Sequence, residues 1–274
     1  MKTVAEIEHE LARLRGESMA VRTSAMTHVA WAPPEWQEAA RETLDGLEER
    51  HPSRTLLLFP REDGRNELDA DVAVRCFTLP ELETTVSTEV IEVRLHGDRA
   101  RAPASVVLPL TLPDLPVFLR WRGQPPFGGG ELEQLVDIVD RLIVDSREWP
   151  DAPGCYGELA RLFERVAVSD IVWTRTQRWR RAIAQRWPLE PDELHVVGPA
   201  PEAALLAGWL RSRLDRAVRL RQEEAERIEL LELDGQAVAA REDRFTPSDL
   251  LSLQLDRFSR DGVYEAALAA ALEA

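Results

Sequence analysis

The sequence has a single lysine, Lys2, among its 34 basic residues, so arginine supplies nearly all of the positive charge. A GC-rich genome explains this bias without invoking a function. Long hydrophobic runs are also absent, because none approaches the ~20 apolar residues of a membrane-spanning helix. Charges run through the first 16 residues, which is not the pattern of a signal peptide. We therefore expect no membrane association.

Cysteine is scarce too. Cys76 and Cys155 are the two cysteines and lie far apart in the sequence, which excludes a disulfide framework and a cysteine-rich zinc site. We expect a cytoplasmic protein in which the two thiols are separated and act as small apolar side chains. The formal net charge is −15, which disfavours binding to nucleic acid as well as to anionic membranes.

The first half of the sequence alternates between strand and helix patterns. Thr3 and Glu6 form a capping box that opens a helix. Apolar runs and period-two alternation predict strands, and helical periodicity predicts helices. The predicted strands are residues 20–32, 53–60, 70–78, 89–97 and 141–146, and the predicted helices are residues 4–14, 33–47, 98–109 and 132–139. This order is typical of an α/β fold, with a mixed sheet flanked by helices.

The second half has shorter elements and an α+β pattern. The predicted helices are residues 159–166, 179–187, 201–214 and 261–273, and the predicted strands are residues 193–197, 217–221, 227–233, 236–240 and 250–255. Asp234-Gly235 is a strong signal for a two-residue hairpin. Proline and glycine cluster in "REWPDAPG", which predicts a boundary there. We expect an N-terminal α/β domain over residues 1–150 and a smaller C-terminal α+β domain over residues 151–274.

Catalytic motifs are missing. The sequence has no phosphate-binding glycine loop, no dinucleotide fingerprint and no nucleophile elbow, and its histidines lack metal-ligand spacing. We therefore expect no enzymatic activity, no metal and no cofactor. Asp140 precedes a predicted buried strand, and Asp145 and Ser146 follow it. Side chains at the carboxyl end of a strand can line a ligand crevice. They can equally cap the next turn through hydrogen bonds to the backbone, and both alternatives stay open.

The strongest local anomaly is the stretch 169–187, "SDIVWTRTQRWRRAIAQRW", which has five arginines and no acidic residue after Asp170. Helical spacing places Trp179, Ile183 and Trp187 on one face and predicts that they pack inward. Arginines lie roughly opposite this apolar face, at Arg175, Arg178 and Arg181. They form a solvated face, a surface for a protein partner, or a site for a small anion or nucleic acid.

A second candidate surface is Arg120-Trp121-Arg122, which follows two prolines in "LPDLPVFLRWRG". Arginine and tryptophan are enriched at binding hot spots. The prolines stiffen the segment, which lowers the entropy cost of docking. Asp114 is the one side chain in the segment able to act as a general base or nucleophile. A recognition surface therefore explains this stretch better than a catalytic loop does.

Four motifs follow one another along the chain: "HPSRTLLLF", "LPDLPVFLRWRG", "DRLIVDS" and "SDIVWTRTQRWRRAIAQ". Together they resemble the OpcA family, the glucose-6-phosphate dehydrogenase assembly proteins of cyanobacteria and actinobacteria. The resemblance covers residues 20–190 most clearly. The family pattern often has a second tryptophan where Arg120 stands.

The resemblance implies a non-catalytic accessory protein that binds glucose-6-phosphate dehydrogenase, promotes its active oligomer and raises its activity. The partner-binding residues would then be Arg120, Trp121 and Arg122 together with Arg175, Arg178 and Arg181. The alternative is a stand-alone α/β enzyme or sensor that binds a phosphorylated sugar through Arg175 and Arg178. A flat exposed patch of arginines favours the first function, and a pocket that holds both arginines favours the second.

Overall fold

The computed structural model describes residues 3–17, 21–22, 24–44, 46–61, 67–79, 84–241 and 244–272. The chain divides into two compact units, Met1–Val144 with Thr246–Phe258 and Asp145–Phe245 with Ser259–Ala274. The first break lies near the boundary predicted at residue 150. The return of residues 246–258 to the first unit differs from the predicted division, which placed them in the C-terminal domain. No helix in the described ranges has the length and apolar character to cross a membrane.

The described residues of the first unit contain seven strands of a mixed sheet. They are β1 Val21–Arg22, β2 Met26–Trp31, β3 Ser53–Arg61, β4 Leu68–Leu79, β5 Thr84–His96, β6 Val117–Trp121 and β7 Arg141–Val144. Their order is β4-β5-β3-β2-β6-β7, and β1 pairs with the start of β5. The pairs are parallel except for β4, which runs antiparallel to β5. The predicted α/β class and mixed sheet are confirmed.

The helices described in this unit are α1 Val4–Glu17, α2 Gln37–Leu44, α3 Leu47–Arg50, α4 Asp98–Arg101, α5 Ala104–Leu110, α6 Gly130–Val136 and α11 Pro247–Leu255. The predicted capping box opens α1, since the Glu6 N–H donates to Thr3 Oγ1 and the Thr3 N–H donates to Glu6 Oε2. The predicted helix over 98–109 is present as α4 and α5. Residues 250–255, predicted as a strand, are helical in α11, so that prediction is wrong.

The apolar run of β3 lies in the core, where Leu56 to Phe59 are completely buried. A buried ion-pair network lies beside it. The Arg54 guanidinium contacts the Glu89 carboxylate at 2.7 Å and the Glu8 carboxylate at 2.8 Å. Arg15 donates a further hydrogen bond to Glu89. These arginines hold the pKa of Glu89 below its ordinary value, against the opposing effect of burial.

His28 is an unusual core residue of β2. It is 1% exposed, and neither ring nitrogen has a hydrogen-bond partner among the described residues. Burial lowers its pKa to about 3, with further contributions from Arg120, His51 and Arg122. The imidazole is therefore neutral near pH 7, and its interpretation as a structural residue agrees with this environment.

Replacing His28 with leucine is expected to reduce the acid sensitivity of folding. An unfolded histidine takes up a proton near pH 6.5, whereas the folded His28 resists protonation down to about pH 3. Stability is therefore lost as the pH falls below 6.5, by about 2 kcal/mol between pH 6.5 and 5. Urea unfolding at pH 7.5 and pH 5 measures the difference. Equal pH dependence in the wild type and His28→Leu would contradict this assignment.

In the part of the second unit that the structure describes, short strands alternate with helices. The strands are β8 Ala167–Asp170, β9 Glu193–Val197, β10 Arg219–Glu223, β11 Leu230–Leu233 and β12 Gln236–Ala237. The helices are α7 Ala152–Arg161, α8 Ile171–Arg175, α9 Gln177–Ala184, α10 Ala200–Leu214 and α12 Gly262–Ala271. Four of the strands form a sheet in the order β10-β9-β11-β12. This smaller α+β part was predicted and is confirmed.

Two local features organise this unit. The predicted hairpin joins β11 to β12, and Asp234 and Gly235 both have positive φ angles, of 48° and 76°. Helices α10 and α12 pack very closely at Gly208, where an added Cβ would lie 2.1 Å from the Ala267 carbonyl oxygen. A side chain at that position would separate the two helices.

Candidate partner-binding site

Two short helices position the arginine-rich stretch. The Asp170 carboxylate caps α8 by accepting the Val172 N–H at 2.9 Å. Thr176 separates α8 from α9, so the stretch is not one continuous helix. Trp179 and Ile183 are buried on α9, as predicted. Trp187 lies beyond the end of α9 and is 44% exposed, so the prediction that it packs inward is wrong.

The predicted arginines divide into an inward and an outward group. Arg175 contacts Asp145 at 2.6 Å and is three-quarters buried, which corrects the expectation that it lies on the outward face. Arg178 is half-buried with its guanidinium 5.2 Å from the Trp179 ring, and Arg181 is exposed. Neither Arg178 nor Arg181 has an ion-pair partner within the described part of the chain. Arg178 and Arg181, three residues apart on α9, form what we call the basic face. Arg186 lies after the helix, is exposed and donates to the Ala237 carbonyl at 2.9 Å.

Arg180 lies in the same helix, and its guanidinium is fixed by contacts within the second unit. Its guanidinium lies 3.4 Å from the centre of the Trp173 ring, and it also donates to the Trp173 carbonyl at 2.9 Å. Trp173 in turn donates its indole N–H to Asp261 at 3.0 Å. These contacts fix α8 against α9, so the basic face projects from a well-anchored element.

Asp145 and Ser146 lie in a buried polar cluster rather than an open crevice. Ser146 donates its hydroxyl to Asp170 at 2.6 Å and its backbone N–H to the same carboxylate at 3.1 Å. The Tyr156 hydroxyl lies 3.3 Å from Ser146 Oγ. Burial and the neighbouring Asp145 raise the pKa of Asp170 to about 6. The pKa of Arg175 is raised because Asp145 outweighs the opposite effect of burial.

Asp140 and Asp145 each accept a hydrogen bond from a backbone N–H group. Asp140 accepts the Val117 N–H at 2.8 Å, which ties the start of β6 to the loop before β7. Asp145 accepts the Arg147 N–H at 3.3 Å at the start of a 3-10 turn. Of the three residues predicted to line a crevice, Asp145 and Ser146 are buried. The contact from Arg147 agrees with the capping alternative for Asp145, which also pairs with Arg175. No group of three or more His, Cys, Asp and Glu residues in the described ranges could hold a metal ion.

Glu202, near the start of α10, was not predicted from the sequence. It is 1% exposed, accepts a hydrogen bond from Arg147, and has no partner for its second carboxylate oxygen among the described residues. Burial raises its pKa to about 7 despite the opposing effects of Arg147 and Arg175. A buried carboxylate of this kind leaves no periodic signal in the sequence, because its partners come from distant segments.

Replacing Glu202 with glutamine is expected to stabilise the protein more at pH 7 than at pH 5. The folded state retains the Glu202 proton, so the contribution to stability is complete below the unfolded pKa near 4.3 and is lost as the pH rises through about 7. The difference between the two pH values should be about 2 kcal/mol. Chemical unfolding of both proteins measures it. A constant offset at both pH values would show that Glu202 does not titrate in this range.

The second predicted surface, Arg120-Trp121-Arg122, lies in the core of the first unit. All three side chains are at least nine-tenths buried. Trp121 stacks on Trp31 with ring centres 5.0 Å apart. Arg122 donates to the Ala39 carbonyl at 2.9 Å, and Arg120 donates to the Trp121 carbonyl. The expectation of an exposed recognition surface here is therefore corrected, because β6 is a central strand and both of its faces are covered.

Neither cysteine forms a disulfide in the described part of the chain, and Cys76 is exposed on β4 whereas Cys155 is half-buried on α7. The exposure of Cys76 differs from the expectation that both cysteines act as small apolar side chains. Burial, with Asp151 and Glu158, raises the pKa of the Cys155 thiol. Within the described structure each thiol belongs to a different unit.

Comparison with known families gives matches along most of the chain. Residues 45–161 match the model of the glucose-6-phosphate dehydrogenase subunit N-terminal domain of OpcA, and residues 166–268 match the corresponding C-terminal domain. Curated relatives are named OxPP cycle protein OpcA. The relative from Synechocystis sp. is 24% identical over 184 residues, and that from Nostoc punctiforme is 26% identical over 184 residues. Each alignment covers 62% of this chain, but only 38% and 40% of the respective relative, so the chain spans about two fifths of their length.

Proposed function

Because the chain belongs to the OpcA family, we propose that it is a non-catalytic accessory protein that binds glucose-6-phosphate dehydrogenase and promotes its assembly and activation. The family match supports an accessory role linked to that enzyme. We also propose which surface of the chain binds the enzyme. The observation that supports it is the basic face, Arg178 with Arg181, on a chain whose net charge is −15.

The basic face suits a protein partner with acidic side chains. Guanidinium groups on neighbouring helical turns can bind carboxylates in bidentate geometry. Arg178 and Arg181 are three residues apart on α9, so they are neighbours on its surface. The exposed ring of Trp187 lies just beyond the helix and is a residue type that anchors interfaces. We propose that these side chains contact the enzyme and that Arg175 serves to position the helix.

Activation would follow from differential affinity. If the chain binds one conformer or oligomer of the enzyme more tightly than another, it shifts the population towards the favoured state. No proton transfer or covalent step by the chain is needed. This mechanism agrees with the buried and internally paired state of Asp145, Ser146 and Asp170, which leaves no accessible catalytic group in that cluster.

A phosphorylated sugar is a weaker candidate for the same arginines. Arg175 would have to grip the phosphate, but its guanidinium is already paired with Asp145 at 2.6 Å. Arg178 is half-buried and lies over the Trp179 ring, with its guanidinium 5.2 Å from the ring centre. These contacts favour a protein partner over a sugar-phosphate pocket.

Co-purification with the glucose-6-phosphate dehydrogenase of the same organism tests the proposal. We expect a stable complex and a higher specific activity of the enzyme when the chain is added. The isolated chain should not oxidise glucose 6-phosphate with a nicotinamide cofactor. Failure of the two proteins to associate would contradict the accessory function, and turnover by the chain alone would contradict its non-catalytic character.

A further inference from the structure

The buried polar cluster of the second unit lies where α7, α8, α10 and α12 pack together. It combines three carboxyl groups and two guanidiniums with three hydroxyls. If all three carboxyl groups were ionised, the cluster would carry one uncompensated negative charge, which is costly to bury. Its members are Asp145, Ser146 and Arg147 before α7, Tyr156 of α7, Asp170 and Arg175 at the start and end of α8, Glu202 of α10 and Tyr264 of α12.

Glu202 has a partner for only one of its two carboxylate oxygens. Oε1 accepts a hydrogen bond from Arg147, whereas Oε2 has no partner among the described residues. The second guanidinium, that of Arg175, pairs with Asp145 at 2.6 Å. A buried carboxylate oxygen without a donor favours the neutral, protonated carboxyl group over the charged one. The geometry therefore gives Glu202 a reason to keep its proton in the folded protein.

Asp170 has no ion-pair partner in the described part of the chain. It is 1% exposed, and it accepts hydrogen bonds from the Ser146 hydroxyl, the Ser146 N–H and the Val172 N–H, all of which are neutral donors. The neighbouring Asp145 carboxylate repels a negative charge on Asp170. Burial and this repulsion both favour the neutral form of Asp170.

A proton on Asp170 can be accommodated by a chain of hydrogen bonds. When Asp170 is ionised, the Ser146 hydroxyl donates to it at 2.6 Å. When Asp170 is protonated, it can donate to Ser146 Oγ over the same distance, and the Ser146 hydroxyl can then donate to the Tyr156 oxygen, 3.3 Å away. Tyr156 itself donates to the Pro201 carbonyl at 3.3 Å, next to Glu202. Both states satisfy these hydroxyls, but the neutral state buries no charge on Asp170.

Asp170 and Glu202 change charge close to neutral pH. Burial and Asp145 raise the pKa of Asp170 to about 6, and burial raises the pKa of Glu202 to about 7 despite two nearby arginines. The pKa values of the two tyrosines are raised by burial, so both hydroxyls stay neutral in this range. The charged and titratable groups that face the two carboxyls are Asp145, Arg147, Tyr156, Arg175 and Tyr264, and Tyr264 also faces Asp261 and Glu265.

We propose that the buried polar cluster makes the anchoring of α8 sensitive to pH, so that α8 is held most firmly when Asp170 and Glu202 are protonated and opens more readily when both are ionised. Both pKa values are raised in the folded state. The stability that these groups contribute is therefore complete below their unfolded values of about 4 and is lost as the pH rises through about 6 and 7. Because α8 leads through Thr176 into α9, the effect acts on the helix that carries the basic face. It is a property of this chain alone and does not depend on the proposed enzyme partner.

Amide hydrogen exchange of the full chain at pH 6 and pH 8 tests the proposal, with rates corrected for the intrinsic effect of pH. In the wild type the equilibrium constant for local opening of α8 and α9 should rise about tenfold between these pH values. The double variant Asp170→Asn with Glu202→Gln keeps the shape of both side chains without their charge, so its opening should change less than about twofold. An unchanged opening equilibrium in the wild type, or an equal rise in the double variant, would overturn the proposal.

Glu158→Gln is the matched control for the exchange experiment. Glu158 lies on α7 in the same unit, but its side chain is 46% exposed and pairs with Arg161 at 2.6 Å. This variant should show the same rise in opening as the wild type. A response as flat as that expected of the double variant would show that the buried carboxyls are not the origin of the pH dependence.

Carbon-13 NMR of the carboxyl groups gives a test that does not require the double variant to fold. We expect two carboxyl resonances of the wild type to titrate with midpoints near pH 6 and pH 7. The single variants Asp170→Asn and Glu202→Gln should each lack one of these resonances. If every carboxyl resonance of the wild type titrates below pH 5, the proposal is wrong.

Discussion

Replacing Glu89 with alanine is expected to lower the free energy of unfolding by about 3–5 kcal/mol. The Glu89 carboxylate is 1% exposed and neutralises Arg54, which is itself buried. Removal of the carboxylate leaves the Arg54 charge inside the protein with Glu8 as its remaining acidic contact. A buried charge that loses its partner carries most of its desolvation cost. Urea unfolding at pH 7 measures the loss directly.

Glu92 provides a matched control on the same strand. It pairs with Arg41 through two hydrogen bonds of 2.9 Å, but its side chain is 24% exposed and that of Arg41 is 40% exposed. Exposed pairs contribute little, so Glu92→Ala should cost less than about 1 kcal/mol. Equal losses in the two variants would show that burial does not determine the contribution of these pairs.

The ion pairs of Glu89 also determine how the stability of the protein changes with pH. Its pKa is lowered in the folded state by Arg15 and Arg54. Its contribution to stability is therefore complete above the unfolded pKa near 4.3 and is lost as the pH falls through the lower, folded value. Glu89→Ala should lose less stability than the wild type on acidification below pH 4.5. A wild type and variant with parallel curves in this range would contradict the ion-pair account.

Replacing Trp179 with alanine is expected to destabilise the second unit by about 3–5 kcal/mol. The indole is buried on the inner side of α9, and Arg178 stacks on its ring. The substitution removes a large apolar side chain and leaves a cavity under the helix that carries the basic face. Thermal or chemical unfolding measures the effect.

Trp187→Ala is the control for this prediction. Trp187 is 44% exposed and lies outside α9, so its loss should change the unfolding free energy far less than the loss of Trp179. If Trp187→Ala destabilises the protein as much as Trp179→Ala, the inner face of this segment has been assigned incorrectly.

Regular periodicity made much of the fold predictable. The apolar run in β3, the alternation in β4 and β5, and the Asp234-Gly235 hairpin signal each depend on a few neighbouring residues. Local patterns of this kind survive into the structure because burial of one or both faces selects them. The mixed α/β architecture followed from the order of these elements.

Residues 250–255 show where apolar content misleads. Their sequence "LLSLQL" was assigned to a strand, but the preceding Thr246 begins α11 with a capping box to Asp249, and Pro247 occupies the first helical turn. The cap satisfies backbone N–H groups that a strand would have to pair with another strand. The helix-start signal at Thr246 therefore determines the conformation here, and the short apolar run does not.

The site was less predictable than the fold, because some of its arginines form ion pairs inside the protein and others are exposed to solvent. Arg175 and Arg181 lie in one arginine-rich stretch, yet Arg175 pairs with Asp145 and Arg181 is exposed. That difference depends on Asp145, which is 30 residues away in sequence. Similarly, Arg120 and Arg122 have the composition of a binding hot spot but are buried in the first unit. Charge composition alone could not separate paired from available arginines.

Charge reversal on the basic face is the most direct test of the central claim. The affinity of glucose-6-phosphate dehydrogenase should be measured for the wild type, for the double variant Arg178→Glu with Arg181→Glu, and for the control variant Arg161→Glu, at an exposed position at the end of α7. Losing charge pairs at an interface commonly costs about 2–5 kcal/mol, so the double variant should bind more than tenfold more weakly. Its thermal melt should match that of the wild type, and the control should bind normally. Unchanged affinity of the folded double variant would contradict the assignment of the basic face as the partner-binding surface.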